Sequence, residues 1–136
     1  MRPVRVLWSR DATDQTRGYW AIAVALHRAG CEVVLGGDQT PEEVASAASQ
    51  EQVDVVGYRA MGGDGAAQVR AVLQALAGSA GSAGAAPPLV AAGVFAADEA
   101  KDLRAAGVRE VFEILTPVDE IAARLRTLGE ASAARD

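Results

Sequence analysis

The feature that most constrains this chain is a fivefold alternation. A short apolar run is followed each time by a stretch with helical spacing. The runs cover residues 4–8, 32–35, 53–58, 89–92 and 110–114, and the helical stretches cover 18–29, 40–51, 66–76, 97–106 and 116–128. Strands that read as continuous apolar segments are buried on both faces, and parallel strands need a crossover that is usually a helix. Local signals mark the boundaries. Gly30 ends the first helical stretch, as a glycine at a helix C-terminus does. Thr40-Pro41-Glu42-Glu43 places a hydroxyl at the N-cap, proline at the first position and glutamate at the third. Thr116-Pro117-Val118-Asp119 opens the last helix in the same style.

Five such units predict an α/β fold. The expected form is a flavodoxin-like (Rossmann-like), doubly wound, five-stranded parallel sheet of order 2-1-3-4-5, in three αβα layers with right-handed crossovers. Residues 1–128 form one domain in this reading, and residues 129–136 a disordered tail. Residues 77–86, almost entirely Gly, Ala and Ser and followed by Pro87-Pro88, read as a flexible surface loop.

Composition narrows the partners. A net charge of −5 with no Lys/Arg cluster excludes nucleic acid and anionic membranes as expected partners. No apolar run reaches spanning length, and no secretory signal is evident, so a cytoplasmic bacterial protein is expected. One cysteine and one histidine leave no disulfide and no metal centre. His27 reads as a surface residue and Cys31 as a structural thiol. Trp8 and Trp20 read as core or interface residues.

In such a sheet a ligand binds outside the carboxyl ends of the strands, where the strand order reverses, here between strands 1 and 3. Two loops face each other there: residues 9–17, and Arg59-Ala60-Met61-Gly62-Gly63-Asp64-Gly65. Gly93 and Phe95 leave the fourth strand on the same edge. Acids beside an arginine and a phenol can do acid/base work when burial shifts them. Asp14 or Asp11 is the candidate base and Tyr58 the candidate acid. Arg59 is the group for a carboxylate or an enolate oxygen. Arg10, Thr13, Gln15, Gly18, Met61, Gly62, Gly63, Asp64, Gly93 and Phe95 are the candidate ligand-binding residues.

Several segments carry a resemblance. Arg17-Gly18, Ala29-Gly30-Cys31-Glu32-Val33, Gln39-Thr40-Pro41-Glu42-Glu43, Val53-Asp54-Val55-Val56-Gly57 and Ala106-Gly107-Val108-Arg109-Glu110-Val111-Phe112 are similar to the cobalamin-binding domain and small subunits of methylmalonyl-CoA-type acyl-CoA mutases. The resemblance spans roughly residues 4–128. Its cofactor motifs are altered. The family's Asp-x-His-x-x-Gly, whose His ligates cobalt from below, falls on Thr13, Gln15 and Gly18. Its Ser-x-Leu, which lines the channel for the nucleotide tail, falls on Arg59-Ala60-Met61. Its Gly-Gly, beside that tail, falls on Ala92-Gly93. An amide is a poor cobalt ligand, and Thr13 lacks the charge that orients an imidazole.

These departures imply a B12-binding-like protein without cobalamin ligation. It would take a small organic molecule, in a specialised biosynthetic pathway, with no cofactor. If it is an enzyme, the expected chemistry is cofactor-free acid/base catalysis of the isomerase, lyase or cyclase type. The alternative is a cobalamin-binding carrier subunit of a mutase, partnered by a larger catalytic subunit. The second alternative is a non-catalytic interaction subunit, with a homodimer as one form.

Overall fold

A computed structural model describes residues 2–11, 16–80 and 85–134. The described elements alternate strictly: β1 (Arg5–Arg10), α1 (Thr16–Arg28), β2 (Glu32–Asp38), α2 (Pro41–Glu51), β3 (Val55–Ala60), α3 (Gly65–Ala80), β4 (Leu89–Gly93), α4 (Ala97–Ala106), β5 (Glu110–Glu113) and α5 (Val118–Ala133). The strands form one parallel sheet in the order β2-β1-β3-β4-β5, the flavodoxin-like arrangement expected from the alternation.

Each face of the sheet has its own core, because alternate residues of a strand point to opposite faces. Val6 and Trp8 of β1, Val55 of β3, and Val90 and Ala92 of β4 pack with Tyr19, Ile22 and Leu26 of α1 and Ile121 and Leu125 of α5. Leu7, Val56, Tyr58, Ala60, Leu89 and Ala91 pack with Val44 of α2, Val69 and Val72 of α3 and Leu103 of α4. On the first face the fully buried Trp8 stacks on Tyr19, with ring centroids 5.6 Å apart. Its indole Nε1 donates to the Tyr19 carbonyl at 2.8 Å. The capping box of α2 forms as expected: Glu43 N donates to Thr40 Oγ1 at 3.2 Å, and Thr40 N to Glu43 Oε1 at 2.9 Å.

Several boundaries differ from the sequence reading. β3 begins at Val55 and runs to Ala60, so Arg59 and Ala60 belong to the strand rather than the loop. Asp54, just before it, is drawn into a polar anchor. Its carboxylate accepts from Arg2 Nη1 and Nη2 at 2.7 Å each and from Arg5 N at 2.8 Å. The expected loop over residues 77–86 starts later, because α3 continues to Ala80. The expected tail from residue 129 is helical to Ala133, and Gly129 is buried where a Cβ would strike Val4. Finally, α5 is capped at Pro117 with no side-chain bond, so Thr116 does not play the role of Thr40.

Candidate functional site

The carboxyl ends of β1 and β3 meet where the strand order reverses. Arg10 of β1 is in register with Asp38 of β2 on one side and Arg59 of β3 on the other. By alternation both arginines leave the sheet on the α1/α5 face.

Arg59 reaches across to α1. Its guanidinium lies against the Cα of Gly18, where the Cβ of any larger residue would collide with the terminal nitrogens. Glycine at this position is what lets the cation span the seam between β3 and α1. Arg59 is engaged by other groups as well.

Arg10 takes a different seat. Its Cζ lies 4.9 Å from the centroid of the Tyr19 ring, within the range of a cation–π contact. That ring is pinned from two sides. Tyr19 Oη donates to the Trp8 carbonyl at 2.8 Å and accepts from Gly37 N at 2.9 Å. Gly37 can do this because the β1–β2 register slips between Trp8 and Ser9 and Gly37 takes a positive φ of 69°. A bulge of this kind re-aims the backbone beside a site.

Asp11 ties the second loop down from the opposite face. It is 7% exposed. Its Oδ2 accepts from Met61 N at 3.2 Å and Gly62 N at 3.4 Å, and its own N donates to the Arg59 carbonyl at 2.9 Å. In this place the carboxylate can hold the backbone of the β3–α3 loop.

Tyr58 does not line the groove with Arg59. It is 1% exposed within the α2/α3 core. Burial, reinforced by the carboxylates of Asp11, Asp38 and Asp64, pushes its phenol well above the ordinary range. A phenol raised in this way and buried in the α2/α3 core is poorly matched to acid/base work near neutrality.

Asp64 is exposed just ahead of α3, and its carboxylate accepts from Gln68 Nε2 at 3.5 Å. Gly63 is exposed, and Met61 and Gly62 are half-buried. Gly93, with φ 154°, brings its Cα against the Ala60 carbonyl, so a Cβ there would overlap the oxygen. Phe95 packs on the α2/α3 core beside Gly65. Thr13, Asp14 and Gln15 lie outside the described residues.

The edge therefore gathers Arg10, Arg59 and Gly18 on one face, with Asp11, Met61, Gly62 and Asp64 on the loop beside them. Sequence reasoning missed Tyr19 and Gly37, which fix Arg10. An aromatic directly after Gly18 in the first turn of α1 was the available signal. It also missed the apolar rim. Val94, Ile114 and Leu115 are 56%, 51% and 91% exposed just past β4 and β5. His27 is exposed in the last turn of α1, at the far end of the helix from this edge. Among the described residues there is no cluster of His, Cys, Asp or Glu that would hold a metal ion, and no helix long and apolar enough to cross a membrane.

Comparison with solved structures shows the same fold at low identity. A response regulator receiver domain from Methanospirillum hungatei JF-1 superposes with a TM-score of 0.70 at 12% identity, over 98% of this chain and 99% of that one. The methanol:cobalamin methyltransferase complex from Methanosarcina barkeri gives a TM-score of 0.69 at 20% identity, over 90% of this chain and 46% of that one. In sequence, the 2-hydroxyisobutanoyl-CoA mutase small subunit of Aquincola tertiaricarbonis is 36% identical over 136 residues, covering 98% of this chain and 97% of that subunit. The family model described as the B12 binding domain matches residues 9–126. With that span enclosing every strand but the first residues of β1, and all but the end of α5, the chain belongs to the B12-binding domain family.

Proposed function

We propose that this chain is a cobalamin-carrying small subunit that works beside a larger catalytic subunit, with the cofactor resting on the carboxyl edge of the sheet and keeping its own base on cobalt. The observation that carries this reading is the end-to-end kinship, 36% identity over 97% of a mutase small subunit. Cobalamin in such a role supplies a cobalt–carbon bond that breaks to give radicals.

The residues present bear on how the cofactor fits. The family's His position holds Gln15, and the one histidine of the chain, His27, sits at the wrong end of α1. An imidazole from this chain does not fit below cobalt. The seam between α1 and β3 is spanned by Arg59 against Gly18, where the resemblance places the mouth of the tail channel. A neutral heterocycle threaded there would have to displace a guanidinium, and leaving that charge uncompensated costs several kcal/mol. An intact cobalamin that keeps its benzimidazole on cobalt asks for neither an imidazole nor an open channel. Gly62 and Gly63 offer it backbone without side chains, and Arg10 offers a cation.

The test is reconstitution. The purified chain is mixed with hydroxocobalamin, desalted and read by visible spectroscopy. A stoichiometric red complex with the base-on spectrum supports the reading, and a colourless protein ends it.

A second reading is favoured by Arg59 itself. A cation filling the tail seam also suits a cofactor-free protein that binds a small organic acid there. On this reading Arg59→Ala abolishes binding of the carboxylate ligand. On the cobalamin reading the same variant opens the seam and leaves corrinoid binding in place.

A further inference from the structure

We propose that Arg10 is the anchor of an oxyanion subsite on the carboxyl edge, and that the group it takes is the phosphodiester of the cobalamin nucleotide loop. The inference deepens the reading above and rests on it for the identity of the ligand.

The starting observation is an incomplete site. Nε and Nη1 of Arg10 are both buried and meet no hydrogen-bond partner. A guanidinium is a fork of donors matched to a carboxylate or phosphate, and buried donors left unmade are costly. Asp38, its register partner on β2, is exposed, and no ion pair joins the two. The Tyr19 ring, 4.9 Å from Cζ, holds the cation from one side.

The seat is also prepared in advance. The Tyr19 hydroxyl is locked between the Trp8 carbonyl and Gly37 N, and its ring is stacked on the buried Trp8. The bulge that delivers Gly37 N exists at this end of β1–β2 alone among the described pairings. A cation fixed this way loses little freedom on meeting an anion, which favours binding. A cofactor that keeps its own base on cobalt also keeps its nucleotide loop outside the protein, where the phosphodiester is free to meet such a fork. The same chemistry is present in the pyrophosphate of coenzyme A, so the experiment separates the two sources.

Parent and Arg10→Gln are titrated by calorimetry with cyanocobalamin, with cobinamide, which lacks the nucleotide loop and its phosphodiester, and with coenzyme A. The expected result is a loss of about tenfold or more in cobalamin affinity in the variant, the scale of a charge-assisted hydrogen bond, with cobinamide affinity unchanged. Unchanged cobinamide binding also shows that the variant is folded. If both proteins bind cobalamin equally well, the subsite is refuted while the cobalamin reading stands. If the parent binds neither corrinoid, the cobalamin reading fails and coenzyme A decides. Binding that Arg10→Gln abolishes then keeps the oxyanion subsite with a different ligand, and no heat with the parent ends it.

Discussion

Replacing Asp11 distinguishes a positioning carboxylate from a catalytic one. Its Oδ2 holds two backbone amides of the β3–α3 loop, Met61 N at 3.2 Å and Gly62 N at 3.4 Å. Asp11→Ala leaves both without that acceptor. Hydrogen bonds to a charged group contribute about 1.5–3 kcal/mol each when short, but these two are long and their amides sit near solvent, so about 2 kcal/mol in all is expected. At the usual entropy of unfolding per residue, a chain of 136 residues loses about 3–4 °C of melting temperature per kcal/mol. Thermal melts followed by circular dichroism should therefore show Asp11→Ala falling by about 7 °C. Asp11→Asn keeps an oxygen acceptor without the charge and should fall by about half as much. A melting temperature for Asp11→Ala within about 2 °C of the parent would mean that the two contacts carry no stability, and the carboxylate would be returned to the list of candidate bases.

Asp54 provides a pH signature. Burial pushes its carboxyl up, but the hydrogen bonds from Arg2 and from Arg5 N, with both charges, outweigh that and hold it below the ordinary value. Because the native value is the lower one, the stability it contributes is present above the ordinary carboxylate range, about pH 4, and is lost as pH falls through the native value. Asp54→Asn should be less stable at neutral pH and should flatten that acid limb in denaturant titrations; an unchanged limb contradicts the assignment. Tyr58, raised by burial, acts in the opposite sense. Its contribution is complete below about pH 10 and is lost as pH rises further, so Tyr58→Phe should remove part of the alkaline destabilisation while leaving ligand binding intact. Ile114 and Leu115 are exposed, so a double change to Asp should shift the melting temperature little and, if they meet the larger subunit, should abolish co-elution with it. Retained co-elution places the interface elsewhere.

Much of the fold is written locally. Apolar runs between helical stretches give the five units and the strand order, and Thr40 through Glu43 give a helix start that forms as read. What escaped depends on contacts distant in sequence. Asp54 looked like part of a strand, but it is recruited by Arg2 and by the backbone of Arg5, some fifty residues earlier. Gly129 looked like the start of a tail, yet its missing side chain is what lets α5 lie on Val4 and Val55. At the site, the switch-point edge and the presence of Arg59 were legible, since topology alone puts them there. The division of labour was not. Tyr58 and Arg59 are sequence neighbours, and only strand alternation sends one into the α2/α3 core and the other toward Gly18. The seat of Arg10 on Tyr19 depends on a register slip in the neighbouring strand, which nothing in the local sequence announces beyond Gly36-Gly37.

The origin of the nitrogen beneath cobalt tests the account most directly. The chain is grown on a uniformly 15N-labelled source, loaded with unlabelled cobalamin, reduced to the cob(II) state and read by electron paramagnetic resonance. With the cofactor's own base on the metal, each cobalt line should keep the triplet splitting of 14N. A doublet in the parent would show that a group of this chain has taken the axial position, and the base-on arrangement would be wrong.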